Sequence, residues 1–463
     1  MTVRHTAVLL LPLVLAACAG TPEPVSQIGA MPVGWDAPVP TAASPWPDAE
    51  WWTGFKSAEL DGLIAKAQTA NLDVAAAAAR ITQAEGQSKT ASSALFPSVD
   101  ISGSGSTRDS WSDENTSSTG GNTFSLSAAA SYELDFWGKN RASAKAARRA
   151  VDSSRYDAQT VALTVTSDVA SIYFQVLSLR DRIAIAKANV DNAERVLSLV
   201  EAKARAGVVT PLDLARQRAT TASQRATIPA LEQQEREARA NLALLLAVPP
   251  QGFDIEATGL KDIAAPQVAP GLPSELLARR PDIASATADL EGADASVTAA
   301  RAAFYPSISL TGSTGFSSSA LAALINPAAA AYNAGASLAQ PLFDGRRLSG
   351  ALENAKGRRA EVLANYRSTV LTAFQDVSNT LGSIDTLARQ GTLQRENVRQ
   401  SQAAFDIAEA RYRAGLEDYL SVLDAQRTLY SAEDTKAQNA LSQLQARVTL
   451  FRVLGGGWQA ASP

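Results

Sequence analysis

Cysteine and histidine, the side chains most used in zinc sites and in activated nucleophile pairs, each occur once in this 463-residue chain. Cys18 is the sole cysteine and His5 is the sole histidine. A His/Cys zinc site or a disulfide therefore lacks the required number of residues, and a Ser-His-Asp or Cys-His set depends on His5 alone. Carboxylate-pair and Ser-Lys mechanisms remain open by composition. The sequence contains no P-loop, no G-x-S-x-G and no strand-to-helix G-x-G-x-x-G pattern.

Both residues lie in an amino-terminal segment organised like an export signal. Arg4 precedes an apolar stretch, residues 7–14, which is too short to span a bilayer and leads into small residues. The run Leu15-Ala16-Ala17-Cys18 resembles the bacterial lipobox, whose cysteine is acylated on its sulfur and on its new amino group. This resemblance implies removal of residues 1–17 and S-diacylglycerol and N-acyl groups on Cys18. An ordinary secretory signal with a chance cysteine is the alternative.

The same signal predicts where the mature chain resides and what chemistry it retains. Several acyl chains form a stable membrane anchor. Ala19 stands where Asp tends to retain such lipoproteins in the inner membrane, so we expect sorting to the outer membrane. Cleavage removes His5, and the remaining cysteine is acylated. We therefore expect no catalytic residue, no metal-binding residue and no cofactor beyond the covalent lipid.

Charge and hydropathy limit the remaining function classes. The formal net charge is −4, which argues against a nucleic-acid partner. No run of eighteen apolar residues occurs, so we expect no transmembrane helix. Any part of the chain that crosses a membrane must then do so as strands, because a closed barrel also satisfies its backbone hydrogen bonds in lipid.

The chain contains an internal duplication. Residues 94–104 (ALFPSVDISGS) match residues 303–313 (AFYPSISLTGS) at an offset of 209 residues. The motif E-A-x-x-R-A-G ends at Gly207 and recurs ending at Gly415, at an offset of 208 residues. A nearly constant offset over a long stretch indicates two copies of one structural unit.

Each unit has the same predicted order of elements: a short Ala-rich helix, two strands around a loop, a long helix and a returning helix. The short helices, 73–95 and 282–303, end at Pro97 and Pro306, because proline cannot continue a helix. The predicted segments are the signal at 1–17, a lipidated amino-terminal and equatorial segment at 18–70, a first repeat at 71–247 (strand hairpin about 98–134, helices 139–206 and 212–247), an equatorial insert at 248–273, a second repeat at 274–453 (strand hairpin about 307–343, helices 346–414 and 417–453) and a tail at 454–463.

The strand segments alternate in polarity. Phe124, Leu126 and Tyr132 fall on one face of residues 124–134, and serines fall on the other. Segments of about ten residues that are apolar on one side and polar on the other fit a transmembrane barrel with a wet lumen. Strands of a soluble sandwich would also alternate, but few further segments are available to build a second sheet.

The long helices are too long for a compact domain. Residues 139–206 contain neither proline nor glycine and would span roughly 100 Å as a helix. The heptad spacing of Ala186, Ala193 and Val200 predicts a packing seam along this helix. The short helix and the returning helix, stacked end to end, would together form its antiparallel partner.

Four strands cannot close a barrel, since single-chain barrels begin at about eight strands. Open sheet edges are excluded from lipid, so a symmetric homo-oligomer must share one barrel. A dimer would supply eight strands, a trimer twelve and a tetramer sixteen. Barrels of about eight strands are filled by their own side chains, so an open lumen favours twelve or more.

Several motifs together resemble the TolC-type outer-membrane efflux proteins. They are Trp51-Trp52-x-x-Phe55, Tyr132-Glu133-Leu134-Asp135-Phe136-Trp137-Gly138, Arg279-Arg280-Pro281-Asp282-Ile283, Phe304-Tyr305-Pro306-Ser307-Ile308 and Arg411-Tyr412-Arg413-Ala414-Gly415 with Leu423-Asp424-Ala425-Gln426-Arg427. The resemblance covers residues 46–458, and the lipobox is similar to that of the lipoprotein, or NodT-like, branch. It implies an α+β membrane protein: a homotrimer with a twelve-stranded outer-membrane β-barrel, four strands per chain, continuous with a periplasmic α-helical coiled-coil tunnel. The termini and the insert are expected to form an equatorial belt.

The resemblance implies a passive exit duct for drugs and other small toxic compounds. A periplasmic adaptor (membrane fusion) protein and an inner-membrane pump of the resistance-nodulation-division type are the expected partners, together with outer-membrane lipid. Metal efflux and type I protein secretion use the same kind of exit component and remain alternatives. A structural coiled-coil envelope lipoprotein would share the long helices without needing amphipathic strands. A carboxylate-based envelope hydrolase is the enzymatic alternative.

The resemblance also implies roles for residues near the two Gly turns. Leu420 and Asp424, one helical turn apart, are expected to form an apolar ring and an acidic ring at a periplasmic gate, and an acidic ring favours cations. Arg411 and Tyr412 are expected to tie their hairpin to a neighbour's outer helix, with Asp213 as the acceptor. The expected adaptor-contacting tip residues are Arg205, Gly207, Val208, Arg413, Gly415 and Leu416.

Overall fold

The computed structural model describes residues 34–36, 46–108, 121–267 and 269–458. Cys18 and the signal lie outside these residues, so acylation stays a prediction. The elements are α1 Ala58–Ala70, α2 Leu72–Ser93, β1 Ser98–Arg108, β2 Gly121–Leu134, α3 Lys139–Arg205, α4 Pro211–Leu245, α5 Pro273–Leu276, α6 Pro281–Ala302, β3 Ser307–Ser318, β4 Ala330–Ala339, α7 Arg347–Arg413 and α8 Tyr419–Val453, with 3₁₀ turns at Trp51–Phe55, Leu321–Ala323 and Pro327–Ala329.

Three pairs of corresponding helices in the two repeats have equal lengths. Helices α2 and α6 each have 22 residues, α3 and α7 each have 67, and α4 and α8 each have 35. The ends of the four longer helices lie within two residues of the predicted ones. The start of α6 at Pro281 follows the preference of proline for the first helical turn, where its missing N–H costs nothing.

Helix α3 forms the centre of the helical part. It packs against α2, α4, α6 and α8, while α7 packs against α6 and α8. Ala186, Ala193 and Val200 are buried along α3, as the heptad spacing predicts, and their small size lets neighbouring helices approach closely. Helix α3 also contains a segment apolar enough by composition to cross a membrane, although the sequence predicted none, and half of that segment is buried in the protein. Its apolar surface thus serves helix packing.

The four strands form one antiparallel sheet in the order β1-β2-β3-β4. The pairing of β2 with β3 joins the two repeats. Serines face one another across β1 and β2: Ser102 lies 3.1 Å from Ser127 and Ser104 lies 2.8 Å from Ser125, measured between hydroxyl oxygens. Ile101 points to the opposite face and is 78% exposed. The sheet therefore has one polar face and one apolar face, and among the described residues of the protomer β1 and β4 each leave one edge unpaired.

The segments that flank the repeats pack on the middle of α3. The ring of Trp51 stacks on Phe451, and the ring of Phe55 packs on Phe174, each at 4.9 Å between centroids. Arg180 anchors the equatorial insert, because its guanidinium donates to the carbonyl oxygens of Ile255 and Ala257 at 2.8 and 2.7 Å. These contacts place both termini of the described chain and the insert at the same height along the helices, near the middle of α3.

Candidate gate and periplasmic tip

The tip of the protomer consists of two turns with the same backbone geometry. Gly207 and Gly415 adopt φ values of +73° and +78°, which L side chains rarely reach. The N–H of Val208 bonds to the carbonyl of Lys203, and the N–H of Leu416 bonds to that of Arg411, each at 2.9 Å. Both long helices thus end in a Schellman motif, which satisfies carbonyls that the helix end leaves unpaired.

Each returning helix begins at a side-chain cap. The hydroxyl of Thr210 accepts from the backbone N–H of Asp213 at 3.2 Å, and the Asp213 carboxylate accepts in return from Thr210, which completes a capping box. Asp418 caps α8 by accepting from the N–H of Ser421 at 2.9 Å. The hairpin geometry of the tip is therefore specified locally in both repeats.

Behind the turns, an apolar cluster joins α3, α7 and α8. Its buried members are Val196, Val200, Phe405, Tyr412, Tyr419, Val422, Leu423, Leu429 and Tyr430. The rings of Tyr412 and Tyr419 pack edge to face with centroids 6.3 Å apart. This cluster holds the two hairpins of one chain together.

Several polar side chains that cross the same cluster form hydrogen bonds there. The hydroxyl of Tyr419 donates to the side-chain oxygen of Gln217 at 2.8 Å, and the Gln217 amide donates to the carbonyl of Ala193 at 2.9 Å. The hydroxyl of Tyr430 donates to the carbonyl of Asn189 at 2.8 Å. Burial raises the pKa of Tyr419 to about 12, so this phenol stays protonated and keeps its donor role.

Lys203 and Tyr412 form a second contact between the hairpins. The ammonium of Lys203 lies 4.0 Å from the centroid of the Tyr412 ring and also donates to the Tyr412 carbonyl. Burial, with the negative charge of Asp213 added, raises the pKa of the Tyr412 phenol. The Tyr412 hydroxyl is buried and has no hydrogen-bond partner among the described residues of this protomer.

The two predicted gate residues lie on one exposed face of α8. Leu420 is 50% exposed and Asp424 is also exposed, and their spacing of four residues places them one above the other. Tyr419 and Leu423, each one position earlier in the helix, are buried on the adjacent face. The geometry leaves both gate candidates free to line a passage, which is the placement a ring of side chains requires.

Within one protomer, the side chains of the predicted tie residues have local partners. The guanidinium of Arg411 pairs with Glu417 at 3.1 Å. The Asp213 carboxylate accepts from the Thr210 hydroxyl at 2.7 Å and from no side chain of α7. Tyr412 is only 2% exposed because the apolar cluster covers its ring. The predicted tie joins Arg411 and Tyr412 to Asp213 of a neighbouring subunit, so these contacts within one protomer leave it a prediction.

The predicted adaptor-contacting residues are all exposed at the turns. They are Arg205, Gly207, Val208, Arg413, Gly415 and Leu416. Val208 and Leu416 are each 69% exposed. A solvent-exposed apolar side chain at the same position in both repeats is typical of a binding surface. The chemistry of the tip is therefore apolar at its apex and basic beside it.

The interior of the tip is organised by residues that were not among the predicted site residues: Lys203, Gln217, Tyr419 and Tyr430. One signal for them was present: Gln217-Arg218 recurs as Gln426-Arg427 at an offset of 209 residues. The amide of Gln426 donates to the hydroxyl of Tyr430 at 2.7 Å. Among the described residues, no group of three or more His, Cys, Asp or Glu side chains could hold a metal ion.

Comparison with known proteins agrees with this architecture. Residues 63–248 and 272–456 match the family model described as outer membrane efflux protein, so the two matched blocks correspond to the two repeats. The chain is 43% identical to the pyoverdine export outer membrane protein OpmQ of Pseudomonas putida, over 99% of both chains. It is 40% identical to OpmQ of Pseudomonas aeruginosa, over 99% of this chain and 98% of the relative.

A solved structure supports the same assignment. The outer-membrane channel OprN superposes with a TM-score of 0.85 at 28% identity, over 93% of this chain and 98% of that one. The predicted resemblance is thereby confirmed, and the protein has the TolC fold and resides in the outer membrane with a periplasmic extension. The chain therefore belongs to the outer membrane efflux protein family and is the outer-membrane channel component of an efflux system.

Proposed function

We propose that three copies of this chain form one passive exit duct, with a shared twelve-stranded barrel and a helical tunnel beneath it. The observation that carries the proposal is the four-stranded sheet with an unpaired edge on β1 and on β4. Unpaired edges cannot remain in lipid, and pairing β4 of one copy with β1 of the next removes all of them. The polar face of the sheet, with its serine pairs, would then line the lumen.

The duct needs partners to supply energy and cargo. Helices of 67 residues extend roughly 100 Å from the barrel, far enough to meet a periplasmic protein. The exposed apolar apex residues Val208 and Leu416 would contact the adaptor, and an inner-membrane pump, most simply of the resistance-nodulation-division type, would drive transport. In this proposal the chain itself performs no catalysis, in keeping with a family and relatives that are channel proteins.

The relatives suggest the class of cargo. The two OpmQ proteins, similar over 99% of this chain, are named for export of pyoverdine. We infer that this chain likewise exports a small organic molecule. Metal efflux is the second candidate, but the mature chain would have no histidine and only Met31 as a thioether ligand. Expression in Pseudomonas putida lacking OpmQ is expected to restore pyoverdine release into the medium, and no restoration would argue against this cargo class.

Detergent-solubilised protein is expected to have the mass of three chains and to form water-filled channels in planar bilayers. The reason is the count of four strands per chain. Light scattering or native mass spectrometry gives the mass, and single-channel recording gives the conductance. A tetramer would contradict the choice of twelve strands. A trimer without conductance would favour a structural coiled-coil lipoprotein.

Cys18→Ser is expected to abolish lipid labelling of the mature protein, because the acylated thiol is replaced. The protein should still fractionate partly with the outer membrane and keep part of its transport, since the barrel itself lies in lipid. Radiolabelled fatty acid and membrane fractionation measure the two effects. Labelling that persists in the variant would show that Cys18 is not the lipidation site.

A further inference from the structure

The exposed aromatic residues where strands meet helices mark the level of the membrane surface. Phe96, Phe136 and Phe343 are 68%, 64% and 94% exposed, and Trp137 stacks on Tyr305 beside them with centroids 4.9 Å apart. Together these five residues are called the boundary girdle. Aromatic side chains collect at bilayer interfaces, and barrels carry such girdles at both. The boundary girdle therefore lies at the inner-leaflet surface of the outer membrane.

A basic pocket lies directly below the boundary girdle, between α2 and α3. It has a volume of about 570 Å³, and its cationic lining residues are Lys89, Lys145, Arg148, Arg149 and Arg155. Lys145 follows Trp137 by eight residues, which is roughly 12 Å of helix. The headgroup zone extends about 5–7 Å beyond the hydrocarbon, and a lysine side chain covers most of the remaining distance. The upper cations thus reach the headgroups.

The pocket has more cations than its own carboxylates can pair. Glu85 pairs with Arg155 at 2.8 Å, and Asp152 pairs with Arg149 at 3.0 Å. These two acids are the carboxylates that line the pocket. Lys89, Lys145 and Arg148 make no ion pair and no side-chain hydrogen bond within the described part of the chain.

The second repeat shows that the fold does not need this cluster. Counting from the starts of the matching helices, Lys145 corresponds to Glu353 and Lys89 to Thr298. Of the five cations, only Arg148 keeps a positively charged counterpart, Lys356. The same helix pair therefore forms without the cluster, so these charges serve something other than folding.

The pocket faces outward, away from the passage. Its lining residues on α3 form a stripe that continues through Tyr156, Gln159 and Leu163 at spacings of three and four residues. Lower on this stripe, Trp458 packs edge to face on Tyr156. Trp458 and Trp51 line one pocket together with Gln159 and Leu163 of the stripe. A duct must stay open, so the terminal segments that cover the stripe lie on its outside, and the basic pocket above them does too.

We propose that the basic pocket between α2 and α3 binds the anionic phosphate headgroup of an inner-leaflet phospholipid, one per subunit. Three unpaired cations below an aromatic girdle match this ligand in charge and in depth, as in other basic pockets at membrane surfaces. The bound headgroup would hold the first repeat of each subunit at a defined height in the bilayer. This inference rests on the proposed trimeric duct, because the duct defines the outer face.

The test is lipid retention by the intact protein. Wild-type trimer extracted from vesicles of phosphatidylglycerol and phosphatidylcholine should retain phosphatidylglycerol selectively in native mass spectrometry. Each cation near an anionic surface contributes about a fivefold change in affinity, so Lys145→Gln with Arg148→Gln should lower this selectivity by about 30-fold. Selectivity that is unchanged in the double variant would overturn the proposal.

The matched control is Lys187→Gln with Lys356→Gln, which removes the same charge. Lys356 is the counterpart of Arg148 at the same depth, and Lys187 lies much lower on α3. An equal loss of lipid in this control would indicate a non-specific charge effect and overturn the site. Displacement of the lipid by millimolar inorganic phosphate would identify a soluble anion as the ligand and overturn the lipid assignment. Absence of trimer or of conductance in the wild type would instead refute the proposed duct.

Discussion

Channels carrying Asp424→Asn are expected to lose most of their preference for cations. Asp424 is exposed on the same face of α8 as Leu420, and three-fold symmetry would place three carboxylates around the passage. In water, a carboxylate about 8 Å from a passing ion contributes about 0.5 kcal/mol. Three of them favour a cation by about 1.5 kcal/mol and disfavour an anion by about the same amount, so the ratio of cation to anion permeability should change on the order of 100-fold. The reversal potential in a salt gradient across a planar bilayer measures this ratio.

The control is Glu237→Gln, which removes the same charge from an exposed position near the far end of α4. It should leave the reversal potential unchanged. Leu420→Ser tests the apolar ring separately. A smaller, polar serine at this position should let more water into the passage, so conductance should rise with little change in ion selectivity. If Asp424→Asn and Leu420→Ser both conduct like the wild type, the constriction lies elsewhere along the tunnel.

The double variant Arg411→Ala with Tyr412→Phe is expected to raise conductance in the absence of adaptor. Arg411 is partly exposed and paired with Glu417, and such a pair is worth about 0.2–1 kcal/mol. Tripled by symmetry, the ties reach about 0.6–3 kcal/mol, which changes the ratio of open to closed channels by about 3- to 150-fold. Single-channel open probability measures this ratio.

Two further variants identify the acceptor that matters. Glu417→Gln removes the partner that Arg411 has within its own hairpin, and Asp213→Asn removes the carboxylate expected on a neighbour's outer helix. If the closed state depends on the intramolecular pair, Glu417→Gln should reproduce the gain in open probability. If the closed state depends on contact between subunits, Asp213→Asn should reproduce it. Arg413→Ala, which breaks an exposed pair with Glu409 one turn away, is the control and should have no effect.

Tyr412→Phe alone separates packing from gating. The Tyr412 ring fills part of the apolar cluster and supports Lys203, whereas its hydroxyl has no partner among the described residues of the protomer. A phenylalanine retains the ring and its contacts. If the hydroxyl stays unpaired in the trimer, Tyr412→Phe should leave the open probability unchanged. If the hydroxyl bonds across subunits, the variant should raise the open probability, because the closed state loses that hydrogen bond. The single variant thus reports on the trimer.

The architecture followed from the sequence because its signals are local and periodic. Proline at positions 97 and 306 ends the short helices, and the absence of proline and glycine from residues 139–206 allows one uninterrupted helix, observed as Lys139–Arg205. The alternation in residues 124–134 gave the two faces of β2. Because the chain is duplicated, the same sequence patterns occur in both repeats and support each other. These features depend on neighbours within a few residues, so composition and spacing were sufficient.

The interior of the tip was decided by tertiary structure alone. Tyr419 bonds to Gln217, 202 residues away, and Lys203 meets the Tyr412 ring on another long helix. Such contacts depend on the axial register and rotation of packed helices, which a hydrophobic repeat leaves undetermined. The same reason explains why the unpaired cations Lys89 and Lys145, which lie on different helices, share one pocket. The sequence determined the helices, the strands and the class of protein. The packing of α3 against its neighbouring helices decided which side chains come into contact.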